Sequence, residues 1–182
     1  MYRFAAASVT ESTVFGAARP ENSDRQVASW IEFMKEQNID RVCCLLTKKQ
    51  VSQYSNLIDT YKQQFGEKQV CWTPIKDFHF VERATLIEGI LPFLIATEKE
   101  NKRVVVHCSG GIGRTGQILA AWLVARRELS IKEAVSVVRA SGRNPYEAMF
   151  FSIFKGRNPM LDANAFHTLL DEARRVVNAQ FN

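Results

Sequence analysis

Apolar residues along this 182-residue chain switch between helical and continuous spacing, and each switch marks an element. Ser23-Asp24-Arg25-Gln26 has the form of a helix start, and Val27, Trp30, Ile31 and Met34 follow three to four apart, predicting a first helix over about 24–38. Val42-Cys43-Cys44-Leu45-Leu46 is a run of the buried type, so a strand is expected at Arg41–Leu46. Val51, Tyr54, Ile58, Tyr61 and Phe65 trace one face of a second helix that Gly66 terminates, and Gln69–Thr73 reads as a strand stopped by Pro74. Ala84, Ile87, Leu91 and Leu94 make the stretch from Val81 to Ala96 helical, with a kink at Pro92. Arg103–His107 is a Val-rich strand that runs into the glycine-rich segment Ser109–Gly113. The almost wholly apolar Thr115–Glu128 after it is expected to be a central, buried helix. Ile131, Ala134, Val135 and Val138 mark a further helix, and Phe166, Leu169, Leu170, Ala173 and Val177 the last, begun by Asp162.

Strands alternating with helices predict an α/β fold: a central, mostly parallel, twisted sheet flanked by helices. The three strands named above would form its middle, with edge strands contributed by about residues 1–18. No linker or low-complexity tract interrupts the chain, so a single domain over 1–182 is expected, with its core at about 20–150 and C-terminal helices at about 147–180. The apolar runs are broken by Glu88, Pro92 or Glu98, too soon for a membrane span, and the first residues are too short an apolar run for a secretory signal. A cytoplasmic, monomeric protein is the natural expectation.

Charge and cysteine content narrow the chemistry. A net charge of +5 suits an anionic partner, but Lys and Arg are scattered without a basic run, so nucleic acid is not specifically indicated. Cys43, Cys44, Cys71 and Cys108 have no metal-ligand spacing, and neither a metal nor another cofactor is expected. Burial in the sheet is the default for the first three, with a protective disulfide to Cys108 as the alternative.

Cys108 closes a predicted strand, and Arg114 opens a helix after five intervening residues. That spacing describes an anion trap. Backbone N–H groups of Ser109, Gly110, Gly111, Ile112 and Gly113 converge on an oxyanion, and the helix adds the positive end of its dipole. Arg114 contributes a planar fork of donors. The same field favours the thiolate of Cys108, the form that attacks phosphorus, and Thr115 is expected to give its hydroxyl to the sulfur. A bare match to this spacing is more often a small buried cysteine after a strand; the strand, loop and helix context argues for the site.

Val106-His107-Cys108-Ser109-Gly110-Gly111-Ile112-Gly113-Arg114-Thr115-Gly116 resembles the signature of the protein-tyrosine phosphatase superfamily, and the compact layout resembles its dual-specificity branch, small prokaryotic members included. The resemblance implies a metal-independent hydrolase acting through a phosphocysteine on Cys108, with a phosphoprotein or phosphopeptide as substrate. It implies a general acid on an upstream loop, where Asp77 lies 31 residues before the nucleophile, with Glu82 in reserve. It makes His107 a supporting residue hydrogen-bonded within the loop, and Asn144, in the segment with Arg139 and Arg143, a brace for the cradle. Phe78 and His79 would line the substrate entrance, whereas His167 has no evident companion. The larger tyrosine-specific relatives place a water-orienting Gln downstream; none occurs here between Gln117 and Gln180, which favours the dual-specificity branch and leaves that function unassigned. Phosphotyrosine is the expected substrate, with phosphoserine and phosphothreonine as extensions. A phosphoinositide, an RNA 5′-phosphate and a non-catalytic phosphoprotein-binding role are the alternatives.

Overall fold

The structure is a computed structural model that describes residues 1–154, 156 and 158–181. Five strands form one sheet: β1 (Ala5–Ala6), β2 (Val14–Ala18), β3 (Arg41–Cys44), β4 (Val70–Trp72) and β5 (Val104–Cys108), in the order β1-β2-β5-β3-β4. All neighbours pair in parallel except β1 with β2. The α/β expectation holds, with two rearrangements. β4 lies at an edge, and β2 lies inside, beside β5, so only β1 of the N-terminal pair is an edge strand. β2 takes that place because every one of its residues pairs with β5, from Val14 with Val104 to Ala18 with Cys108.

Helices cover both faces. α1 (Asp24–Glu36) starts at Ser23, whose side chain accepts the Gln26 N–H, and with α3 (Leu57–Phe65) it buries Trp30, Met34 and Tyr61 against one face. The single helix expected across Val51–Phe65 is two. A short α2 (Lys48–Val51) begins in a reciprocal cap between Thr47 and Gln50, and the chain turns at 52–56 before α3. Apolar periodicity continues across this turn because Tyr54 stays buried within it.

The opposite face is packed by α4 (Leu91–Lys99), α5 (Gly113–Arg126), α6 (Ile131–Ala140) and α8 (Pro159–Phe181). The kink expected at Pro92 is instead a π-helical turn over Thr85–Ile90, just before Pro92. Widening the turn there accommodates a residue that has no N–H and whose ring crowds the preceding turn. α5 is buried along nearly its whole length, as its composition predicts. Each large side chain buried in this way contributes about 1.5–3 kcal/mol. α7 (Glu147–Phe154) links α6 to α8. The last helix opens at Pro159, earlier than the expected Asp162, since Pro suits a first turn and the Asn158 side chain accepts the Met160 N–H. Glu11 is fully enclosed between Arg127 and the Trp122 indole, tying the β1–β2 turn to the end of α5. Among the described residues no helix is long and apolar enough to cross a membrane.

Candidate active site

β5 delivers Cys108 to the C-terminal edge of the sheet, where the next residues bend into a loop closed by the first turn of α5. Cys108 is buried, and its carbonyl accepts the Arg19 N–H at 2.9 Å, so the segment after β2 holds the base of the loop. Gly111 sits in the left-handed region (φ 69°), and a Cβ on it would lie 2.6 Å from the Ala17 carbonyl oxygen and 2.7 Å from the Ala18 nitrogen. Only glycine permits both that backbone conformation and that approach to β2.

Arg114 is almost wholly buried, and its guanidinium is fixed from several directions. Nη1 donates to the carbonyls of Ile75 (3.1 Å) and Leu45 (3.4 Å) and to Gln50 Oε1 (3.0 Å). Nη2 donates to Ser109 Oγ (3.2 Å) and forms an ion pair with Asp77 Oδ1 at 3.1 Å. Asp77, chosen from sequence as the acid, thus stands directly at the cradle. Glu82, the reserve, is exposed at the entry to the next helix and makes no hydrogen bond or ion pair with Arg114.

The loop that carries Asp77 is held from both ends. Phe78 adopts a left-handed backbone (φ 55°), unusual for a bulky residue, and its ring stacks on Phe151 with centroids 3.5 Å apart. The His79 ring meets the Asp77 carbonyl at 2.8 Å through Nδ1. Gln117, on the helix that Arg114 begins, accepts the Val81 N–H at 2.8 Å and donates to the His79 carbonyl at 3.1 Å.

Three expectations about supporting residues are corrected. His107 was to hydrogen-bond within the loop, but neither ring nitrogen has a partner in bonding geometry; the ring lies edge-on to Trp30 and Tyr61. Burial pulls its pKa from 6.5 down to about 3, partly offset by the nearby Cys108 backbone, so the ring is neutral. Thr115 Oγ1 is buried without a hydrogen-bond partner and makes no bond to the Cys108 sulfur; its methyl group packs toward Gly16. Asn144 does not brace the cradle. Its Oδ1 accepts the Tyr146 N–H at 3.2 Å within its own turn, while the neighbouring Arg143 reaches inward to the carbonyls of Gly16 and Arg3. His167, expected to have no companion, hydrogen-bonds with the Tyr146 hydroxyl.

Sequence reading also missed residues that the fold brings in. Gln50 Nε2 donates to Ser109 Oγ (2.9 Å) and to Asp77 Oδ2 (3.3 Å), while its Oε1 accepts from Arg114; one amide touches all three residues. The readable signal was Thr47 followed three residues later by Gln50, a reciprocal helix cap just beyond a strand. Glu147 is a second carboxylate at the site, packed against Gly113. Burial first, then the charge of Asp77, raise its pKa, against the pull of the Gly113 N–H and Arg114. Cys43 shares the Cys108 face of the sheet, with Cys71 beside it in register. Cys44 lies on the opposite face, where burial pushes its pKa up to about 12.

Comparison with known proteins follows this geometry. The profile of the family described as "Dual specificity phosphatase, catalytic domain" matches residues 24–174. Rat dual specificity protein phosphatase 5 is 26% identical over 68 residues, 37% of this chain and 18% of the relative, so the match spans about a fifth of that protein. The fold is similar to Tk-PTP in its active form (TM-score 0.65, 24% identity, covering 91% of this chain and 93% of that one). It is similar also to PTPMT1 (TM-score 0.69, 15% identity, covering 98% and 99%). Matched by the family profile over most of its length, the chain belongs to the dual-specificity phosphatase catalytic domains.

Proposed function

We propose that the chain dephosphorylates phosphotyrosine in proteins or peptides, and phosphoserine or phosphothreonine where the entrance admits them, through a covalent phosphocysteine. The observation that carries this reading is the convergence of Cys108, the Gly111 turn, Arg114 and Asp77 at one sheet edge, with acid and clamp 3.1 Å apart.

In the first step the Cys108 thiolate attacks phosphorus. A P–S bond forms as the P–O bond to the leaving group breaks, and Asp77 gives its proton to the departing oxygen. Arg114 and the loop N–H groups hold the equatorial oxygens, where charge gathers. In the second step water attacks phosphorus, its proton passes to the Asp77 carboxylate, the P–S bond breaks and the thiolate returns. Gln50, the amide in contact with both Asp77 and Arg114, is suited to orient that water. His107, held neutral and away from the cradle, supports the strand and shuttles no proton. Phe78, backed by Phe151, offers an aromatic wall beside the acid.

The test is phosphate release from p-nitrophenyl phosphate at mildly acidic pH with EDTA present. Wild type is expected to turn over and Cys108→Ser to be inactive; activity that needs added metal, or that survives Cys108→Ser, overturns the mechanism. A phosphoinositide is the second substrate reading, supported by the likeness to PTPMT1, solved in complex with PI(5)P. Against it, Ser109–Gly113 contain no Lys or His to meet further phosphates. Phosphotyrosine, phosphoserine and phosphothreonine peptides assayed beside one phosphoinositide separate the two.

A further inference from the structure

Arg19 follows β2 and stands beside the loop that begins at Cys108. Its backbone N–H donates to the carbonyls of Cys108 (2.9 Å) and Ser109 (3.2 Å). Its guanidinium Nη1 donates to Gln53 Oε1 (3.0 Å), and Cζ lies 5.8 Å from the centre of the Tyr54 ring. Gln53 and Tyr54 belong to the turn after α2, the helix whose Gln50 donates to Ser109 Oγ at 2.9 Å. These contacts close a circuit from Ser109 through Gln50 and Gln53 back to Arg19. Since β5 lies between β2 and β3 in the sheet, and α2 follows β3, the Arg19 side chain crosses the end of β5, from which the loop springs.

The guanidinium held there has no opposite charge to meet. Its partners are an amide and a ring face, and among the described residues Arg19 pairs with no carboxylate, Glu21 two positions on included. Other arginines are matched: Arg41 with Glu100, Arg126 and Arg127 with Glu98, Arg114 with Asp77. Arg143 and Arg174 do without a carboxylate but are spent on backbone carbonyls. Arg19 is half-buried, and its bond to Gln53 is open to solvent. Tyr54 is buried and its hydroxyl donates to the Pro20 carbonyl (2.7 Å), so the ring beneath the guanidinium is fixed. A planar fork of donors held on the rim of the cradle suits a carboxylate or phosphate that arrives with the substrate.

We propose that Arg19 is an anion-reading subsite on the rim of the cradle, selecting phosphopeptides that carry a second anionic group, a carboxylate or another phosphate, close in sequence to the phosphate removed. The inference rests on the proposed hydrolysis of phosphopeptides by Cys108 and adds a preference to it. A strut between β2 and the α2–α3 turn would also account for the contact with Gln53, but it predicts no preference among substrates.

The experiment compares phosphotyrosine peptides of one length, flanked by Gln, by Glu or by phosphoserine, with loss of the phosphotyrosine read by mass spectrometry. At low salt wild type is expected to favour the Glu or phosphoserine peptide over the Gln peptide by about fivefold in kcat/KM, the scale of one exposed ion pair, chiefly through KM. Whichever anionic peptide is favoured names the group that is read. The preference is expected to fade in about 1 M salt, where screening acts within about 3 Å. Arg19→Met is expected to bring each ratio to about one, with Arg19→Gln as the second neutral variant should Arg19→Met not fold; Arg19→Lys keeps the charge and is expected to keep part of the preference. Each ratio is taken within one variant, against its own rate on the Gln peptide, so damage to the loop cancels. A wild type that treats the peptides alike, or a preference that survives in the neutral variants, overturns the proposal. A preference found only for bisphosphorylated over monophosphorylated phosphoinositides would assign Arg19 to a lipid headgroup and overturn it too. Failure of the phosphopeptide reading looks different: no turnover of the Gln peptide by wild type, or turnover that survives Cys108→Ser.

Discussion

Removing the Asp77 carboxylate is expected to slow the enzyme and, at the same time, tighten its hold on phosphate. In the unliganded site Oδ1 lies 3.1 Å from Arg114 Nη2 and Oδ2 lies 3.3 Å from Gln50 Nε2, so an incoming phosphate competes with Asp77 for the clamp. The Asp77 side chain is 39% exposed, and solvent screens the pair. About 1 kcal/mol is therefore the scale of its attraction. Loss of that competitor predicts roughly fivefold tighter oxyanion binding for Asp77→Ala, because about 1.4 kcal/mol corresponds to tenfold in affinity. Turnover, deprived of its acid, falls by roughly 10²–10⁴-fold. Turnover is read from p-nitrophenyl phosphate hydrolysis, and affinity from the concentration of inorganic phosphate that protects Cys108 from iodoacetamide. An unchanged rate would transfer the acid role to Glu147, whose raised pKa suits it to hold a proton. Weaker phosphate binding would refute the view of Asp77 as a competitor for Arg114.

Two other outcomes follow from the geometry. Gly111→Ala must adopt φ 69° and push a Cβ against the backbone of Ala17 and Ala18. The left-handed cost of about 1–2 kcal/mol and overpacking of about 1–3 kcal/mol predict a melting temperature lower by roughly 4–20 °C by calorimetry, with activity lost; a variant that melts and turns over like wild type would contradict this loop. His107, neutral in the fold down to about pH 3, gains a proton on unfolding below about 6.5, so its contribution to stability is whole above 6.5 and drains away as pH falls toward 3. The slope is about 1.4 kcal/mol per pH unit. Urea denaturation at pH 7, 6, 5 and 4 should show a shallower decline for His107→Gln, and parallel declines would mean that His107 is protonated in the folded protein.

Local signals in the sequence carried the centre of this site. Val104–Val106, the glycines and the apolar α5 each announce their own conformation, and Cys108, Arg114 and Asp77 follow from the spacing and the family resemblance. What was not legible depends on contacts between distant segments. β2 reads as an edge strand until its pairing with β5, some ninety residues later, is known. The turn between α2 and α3 is hidden because Tyr54 remains buried within it, in step with the helical period on either side. Gln50 reaches the cradle from α2, a four-residue helix before that turn, through contacts with residues 27 to 64 positions away. Arg143 was passed over for its neighbour Asn144, since nothing in the local string reveals that Gly16 opens a slot for a guanidinium.

Arg114 Nη1 is shared between the carbonyls of Leu45 and Ile75, just beyond the ends of β3 and β4, while Arg114 itself follows β5. The clamp is thus a gauge of alignment: three stretches of chain, remote in sequence, must arrive at one point before a phosphate can be gripped. Catalytic competence is therefore a property of the assembled sheet. A peptide spanning Cys108–Arg114 would carry the whole signature and none of the grip, and a small shear between β3 and β4 would be felt at the phosphate while the core remained intact.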